Sequence, residues 1–238
     1  MKLIITKDYN ELSKEAFKVM KEVLDSKKDV VLGLATGSSP VGLYAEMVAD
    51  HKNNATSYKD IVTYNLDEYV DIDRNDPQSY YTFMNEQLFS HVDIKPENTH
   101  VPYGNTAEAA KEYDDAVKGV DIQLLGIGRN GHIGFNEPGT PFEERTHIVE
   151  LTESTRDANK RFFDNDINKV PTHAISQGIG TVMDAKKILL IANGEDKADA
   201  VKAMIEGPLS TDCPASVLQN HPDCIVIVDE AAASKLTK

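Results

Sequence analysis

Short runs of Val, Ile and Leu alternate along the chain with longer stretches in which apolar residues recur every three or four positions. The short runs are LIIT at 3–6, VVLGLAT at 30–36, IVTYNL at 61–66, IQLLGIG at 122–128, HIVELT at 147–152, ILLIAN at 188–193 and CIVIVD at 224–229. Several are apolar on successive residues, as strands covered on both faces should be. Between them, Asn10 to Ser26 sets Leu12, Ala16, Val19, Met20, Val23 and Leu24 on one helical face. VGLYAEMVADH after Pro40, Tyr80 to Val92, Ala107 to Gly119 and Lys197 to Gly207 read as further helices, the last two closing on glycine as helices often do. The alternation predicts an α/β fold, doubly wound, with a mainly parallel sheet and helices on both faces, Rossmann-like in layout. With no linker, low-complexity segment or repeat of about 20 to 50 residues, the chain reads as one domain over 1–238.

In open parallel sheets, ligands bind in the crevice outside the carboxyl ends of the strands. The residues just beyond each strand therefore point to function. VVLGLAT is followed by GSSP, IVTYNL by DEY, IQLLGIG by RNGHIGFNEPG and ILLIAN by GEDK. Four strand ends carry polar or glycine-rich chemistry.

Thr36, Gly37, Ser38 and Ser39 precede a helix whose first turn offers unpaired N–H groups to a phosphate, and small residues let the anion approach. The same residues also fit an ordinary turn with Ser39 at the N-cap and Pro40 at the first helical position. No Walker A lysine follows. Asp67 and Glu68 place two carboxylates at a strand end, where one could act as a proton-transfer base; an acidic surface turn is the plainer reading. His132, with Glu137 five residues on, offers a histidine whose imidazolium a carboxylate could stabilise. Arg161 and Lys197 are candidate cations for a phosphate, or solvated helix residues.

Other chemistry fits less well. GIGRNG satisfies G-x-G-x-x-G and Glu150 lies near the distance of a ribose-binding acid, but Gly134, Pro138, Gly139 and Pro141 rule out the helix that a dinucleotide site requires. Asp71, Asp73 and Asn75 resemble the start of a calcium loop, yet Asp76 stands where glycine is needed and Thr82 where a bidentate Glu belongs. The seven histidines form no metal-ligand spacing, so no metal is expected. Cys213 and Cys224 are too few for a disulfide framework; Cys213 reads as packing rather than as a nucleophile.

A formal net charge of -14 and a pI near 4.9 argue against nucleic acid as a partner and require local positive charge around any anionic ligand. MKLIITKDY lacks a signal-peptide core and no apolar run approaches membrane-spanning length, so a cytoplasmic protein without membrane partners is expected.

Taken together, GLATGSSP, VTYNLDEYV with SYYTFM behind it, GIGRNGHIGFNEPG and TRDANKRFFDND make the chain resemble the glucosamine-6-phosphate deaminase family of the sugar-phosphate isomerase and lactonase superfamily, along essentially its whole length. The resemblance implies conversion of glucosamine 6-phosphate and water to fructose 6-phosphate and ammonia, without a cofactor. It implies Asp67 as the base that carries a proton from C2 to C1, His132 as the ring-opening group with Asn130 and Glu137 as its partners, Thr36 to Ser39 as the phosphate loop, and Arg161 and Lys197 as phosphate cations. The segment around Arg161 matches the family's mobile lid.

Two departures from the family pattern matter. Asn130 stands where many members have Asp, leaving Glu137 to carry more of the imidazolium stabilisation. Members activated by N-acetylglucosamine 6-phosphate use Ser, Arg and Lys where this chain has Thr140, His147 and Val149, and the chain ends at Lys238 without their longer tail. A non-allosteric enzyme, monomeric or a small homo-oligomer, is therefore expected. Alternative activities are a 6-phosphogluconolactonase, a galactosamine-6-phosphate deaminase or isomerase, and a sugar-phosphate-sensing regulator domain. The last would need a DNA-binding segment, which the first 30 residues lack.

Overall fold

The computed structural model describes residues 1–237, and all of their side chains except those of Ser154 and Ala158. The strands are β1 (Lys2–Thr6), β2 (Val31–Leu34), β3 (Val62–Asn65), β4 (Asp67–Tyr69), β5 (Thr99–His100), β6 (Ile122–Leu125), β7 (His147–Glu150), β8 (His173–Ser176), β9 (Ile188–Ala192) and β10 (Cys224–Asp229). The helices are α1 (Tyr9–Leu24), α2 (Val41–Asn54), α3 (Tyr80–Gln87), α4 (Ala107–Ala116), α5 (Glu153–Asn159), α6 (Ile179–Met183) and α7 (Ala198–Glu206).

Seven strands form one parallel sheet in the order β1-β10-β9-β6-β2-β3-β5. From the centre the chain winds outward both ways, through β3 and β5 on one side and through β9 and β10 to β1 on the other. The topological switch lies between β2 and β6, where a crevice opens at the strand ends. Every residue of β6, β9 and β10 is buried, as expected of strands covered on both faces. The apolar face of α1 packs onto this sheet through Leu12, Ala16 and Met20. Its start is fixed by Asp8, whose carboxylate accepts the Glu11 N–H at 2.9 Å.

Three short strands form a second, antiparallel sheet in the order β4-β8-β7. HIVELT therefore belongs to this small sheet rather than to the parallel one, consistent with the partial exposure of β7. β4, β5 and β8 have two to four residues each, too few to show a period in the sequence. Leu66 joins the two sheets: its N–H donates to Leu34 O at 3.0 Å and its carbonyl accepts from Gln177 N at 2.7 Å. A second cluster of buried residues, Tyr69, Ile72, Phe135, Leu151 and Ala174, packs around the small sheet.

α3 closes at Gln87, short of the expected Val92, with a 3-10 turn over Phe89–His91 behind it, and two further helix endings differ from expectation. α4 closes at Ala116, before Gly119 is reached, and Gly207 follows α7 with an extended φ of -76° rather than a left-handed one.

Candidate active site

β9, β6, β2 and β3 are neighbours in the sheet, so the four polar strand ends lie side by side. The Thr36 to Pro40 loop follows β2 and is held from below by two tyrosines. Tyr44 Oη donates to Ala35 O at 2.6 Å, and Tyr9 Oη bonds the carbonyls of Ser38 and Ser39 at 3.0 and 3.1 Å while accepting Gly42 N–H at 2.8 Å. Pro40, rather than Ser39, occupies the N-cap of α2, and no side chain caps it. Ser39 Oγ instead donates to Asn193 Oδ1 at 3.0 Å, tying the loop after β2 to the one after β9.

The loop after β9 carries Lys197, half-buried at the start of α7. Burial lowers the pKa of its ammonium. Asp196 opposes that shift, and the charges of Arg129 and Arg161 add to it. Arg129 and Arg161 thus lie close enough to Lys197 for their charges to act on it, around the loop that Asn193 ties to Ser39. Arg129 is held to Asp196 at 2.9 Å, and the Arg161 guanidinium lies over the Phe162 ring. An anion bound there would relieve their mutual repulsion.

After β6 the chain turns without a helix until α5, which removes the dinucleotide reading. Glu150 ends exposed on β7 in the small sheet. The turn returns on itself through Gly128 N–H to His132 O at 2.9 Å. The His132 ring lies flat against Gly128, where a Cβ would come within 2.2 Å of it, so only glycine fits. Asn130, His132 and Glu137 converge. Asn130 Nδ2 donates to Glu137 Oε2 at 2.7 Å, and Asn130 Oδ1 accepts the His132 N–H at 3.2 Å. His132 Nδ1 stands 3.7 Å from the same Oε2, beyond hydrogen-bond length, and has no hydrogen-bond partner among the described residues.

Thr155, which opens TRDANKRFFDND but to which the sequence assigns no role, donates from Oγ1 to Glu137 Oε1 at 2.6 Å. Burial raises the pKa of the Glu137 carboxyl; His132 and the donors Thr155 and Asn130 outweigh it and hold the pKa at about 2. With His132 beyond hydrogen-bond length, its part is charge proximity; the two bonds actually made come from Thr155 and Asn130. Glu137 is ionised at any working pH.

Asp67 opens β4 and is buried at 8% exposure. Burial first, and the Glu68 charge second, push its carboxyl up to about 8. A Cβ built on Gly134, in the loop that carries His132, would stand 3.6 Å from Asp67 Oδ2, so this backbone crosses directly over the carboxylate. Glu68 points elsewhere. Its carboxylate accepts the N–H groups of Tyr80 and Tyr81 at 3.0 Å each, capping the first turn of α3. Neither carboxylate is the surface turn that composition alone suggests.

Cys213 packs its sulfur against Gly131, and burial raises the pKa of its thiol, as suits packing rather than nucleophilic attack. Among the described residues, no group of three or more His, Cys, Asp or Glu could hold a metal ion, and no helix is long and apolar enough to cross a membrane.

The family whose model matches residues 7–226 is described as glucosamine-6-phosphate isomerases/6-phosphogluconolactonase. Glucosamine-6-phosphate deaminase 2 of Bacillus subtilis (strain 168) is 49% identical over 243 residues, covering 99% of this chain and 98% of that protein. The glucosamine-6-phosphate deaminase of Clostridioides difficile (strain 630) is 51% identical over 242 residues, covering 99% and 97%. A solved monomeric glucosamine-6-phosphate deaminase superposes with a TM-score of 0.95 at 45% identity, covering 98% of this chain and 99% of its own. The 6-phosphogluconolactonase of Trypanosoma cruzi superposes at 0.79 with 19% identity, covering 100% and 97%, a likeness of fold alone.

Proposed function

The chain belongs to the family of glucosamine-6-phosphate isomerases and 6-phosphogluconolactonases, and from that premise we propose that it is a deaminase converting glucosamine 6-phosphate and water to fructose 6-phosphate and ammonia. The observation that carries the reading is the pairing, on adjoining loops, of a buried carboxyl with a histidine backed by an ionised carboxylate. Asp67 is pushed up to about 8, and His132 is backed by a Glu137 held at about 2. A lactonase needs only to hydrolyse an ester and has no use for a separate base beside C2.

The chemistry divides between them. Ring opening moves a proton from the C1 hydroxyl to the ring oxygen, and His132 is the shuttle, its imidazolium stabilised by Glu137. With the ring open, the C1 carbonyl takes up electron density when the C2 proton leaves. Asp67 removes that proton and returns it to C1, while a proton passes from the C2 nitrogen to the C1 oxygen, so that C1 becomes an alcohol and C2 an imine. Water adds at C2, and ammonia departs. A carboxyl poised near 8 is a strong base once ionised, and the substrate's ammonium group beside C2 favours its ionised form.

The phosphate lies away from the reacting carbons. Thr36, Gly37, Ser38 and Ser39 present the α2 N-terminus to it, and Arg161 and Lys197 supply charge. This clamp fixes the sugar so that C2 meets Asp67.

The reading extends to a non-allosteric enzyme, monomeric or a small homo-oligomer, working in amino-sugar catabolism in the cytoplasm. In support, the three positions expected to mark activation by a second sugar phosphate are engaged within the chain. Thr140 Oγ1 donates to Glu137 O at 2.7 Å, His147 Nδ1 meets Arg145 O at 2.9 Å, and Val149 packs into the small core. One domain spanning 1–238 accords with the Leu66 link between the sheets.

Ammonia release from glucosamine 6-phosphate, with hydrolysis of 6-phosphogluconolactone assayed in parallel, tests the activity. Release of ammonia with no lactone hydrolysis is expected; the reverse pattern would assign the chain to the other half of its family.

A further inference from the structure

Beyond the groups already assigned to phosphate and proton transfer, Thr155 touches the carboxylate behind His132. Thr155 sits at the third position of α5, and its hydroxyl is engaged twice: Oγ1 donates to Glu137 Oε1 at 2.6 Å and accepts from Thr152 Oγ1 at 3.0 Å. Thr152 is the N-cap of the helix and also accepts Thr155 N–H at 3.2 Å. Because Thr152 donates to it, the Thr155 hydroxyl has its own proton free only for Glu137.

The rest of α5 is anchored on the same side of the site. The Arg156 guanidinium donates to Ile167 O at 2.8 Å and Val170 O at 3.3 Å, and Asn159 Nδ2 donates to Tyr69 Oη at 3.0 Å. The helix then runs without a break into the turn Lys160–Phe162, which carries Arg161. One continuous segment thus meets the carboxylate behind His132 at one end and supplies a phosphate cation at the other.

We propose that Thr155 is a positioning residue for ring opening: its hydroxyl fixes Glu137 Oε1 so that Oε2 stays turned to His132, and the segment it shares with Arg161 links phosphate capture to that alignment. The inference rests on the deaminase reading. It assigns Thr155 no contact with substrate.

Rates are measured as ammonia release for the parent and for Thr155→Val, Thr155→Ala and Thr155→Ser. A bond to an ionised group that is lost without replacement predicts a fall in kcat of about tenfold for Val and Ala. KM stays within about twofold, because no substrate contact is removed. Serine keeps the hydroxyl and restores kcat to within about threefold of the parent, a rescue that a merely space-filling role would not give. Combining Thr155→Ala with Arg161→Ala tests the link. The combined loss in kcat should fall short of the product of the single losses, since an unseated segment no longer presents the hydroxyl. A parent-like kcat in Val and Ala, or a loss confined to KM, overturns the positioning role and leaves the deaminase reading standing. A combined loss equal to the product overturns the link to phosphate. A parent that releases no ammonia overturns both readings.

Discussion

Asn130 Nδ2 donates to Glu137 Oε2 across 2.7 Å, and that oxygen is the one that faces His132. An aspartate there could not donate to Glu137 and would set a second negative charge beside it. The amide donates instead, so Glu137 keeps its full charge for an imidazolium. Asn130→Ala removes that donor and is predicted to lower kcat about tenfold. Steady-state ammonia release at saturating glucosamine 6-phosphate is the check, and an unchanged kcat would contradict the role.

The two carboxyl groups predict the shape of the pH profile. Glu137, at about 2, is ionised throughout the working range and contributes no limb. Asp67, at about 8, must lose its proton to act as a base, so kcat/KM of the parent should climb as pH rises towards 8. A profile already level from about pH 5 upward, where an ordinary carboxylate is ionised, would remove Asp67 from proton abstraction.

A carboxyl raised from 3.8 to about 8 also governs stability. The folded state holds a proton that the unfolded state has lost, so the contribution of Asp67 is fully present below about pH 4 and is lost as pH rises through 8. Asp67→Asn cannot ionise and escapes that loss. Thermal melts should show the variant several degrees more stable than the parent at pH 8, with the gap closing towards pH 4. Equal melting temperatures at pH 8 would show that the carboxyl is not strained by its burial.

Lys197 is the phosphate cation whose own ammonium is held below its ordinary pKa, by burial first and by the facing arginines after the opposing Asp196. Lys197→Ala is predicted to raise KM for glucosamine 6-phosphate by about tenfold or more, with a smaller change in kcat. Inorganic phosphate should inhibit the parent competitively and the variant only weakly. Equal inhibition constants would place the phosphate elsewhere.

Six strands of the large sheet, β1, β2, β3, β6, β9 and β10, are legible because each lies within a longer apolar run of the sequence, and β6, β9 and β10 are buried throughout. β4, β5 and β8 are not, since a few residues carry no period and their pairing is decided by distant partners. At the site, Asp67, His132 and Glu137 stand out as polar residues at strand ends, which the parallel-sheet rule turns into a crevice. Thr155 does not. Its spacing from Thr152 reads as an ordinary helix start, and only the packing of α5 over the Glu137 loop gives its hydroxyl a partner 18 residues away. Ser39 shows the converse. It reads as a helix cap, yet the cap is left to Pro40 because Asn193, at the end of β9 two strands away, takes the hydroxyl. Glu68 reads as an alternative base beside Asp67. Its charge does add to the raised pKa there, but its oxygens are spent on the backbone of α3.

The central claim is that Asp67 moves the C2 proton of an amino-sugar phosphate. Ammonia release from glucosamine 6-phosphate by purified Asp67→Asn, set against the parent under identical conditions, tests it most directly. The amide preserves shape and removes the base, so release should fall by at least about a hundredfold while the protein stays folded. Release at the parent's rate would contradict the assignment and, with it, the mechanism built on Asp67.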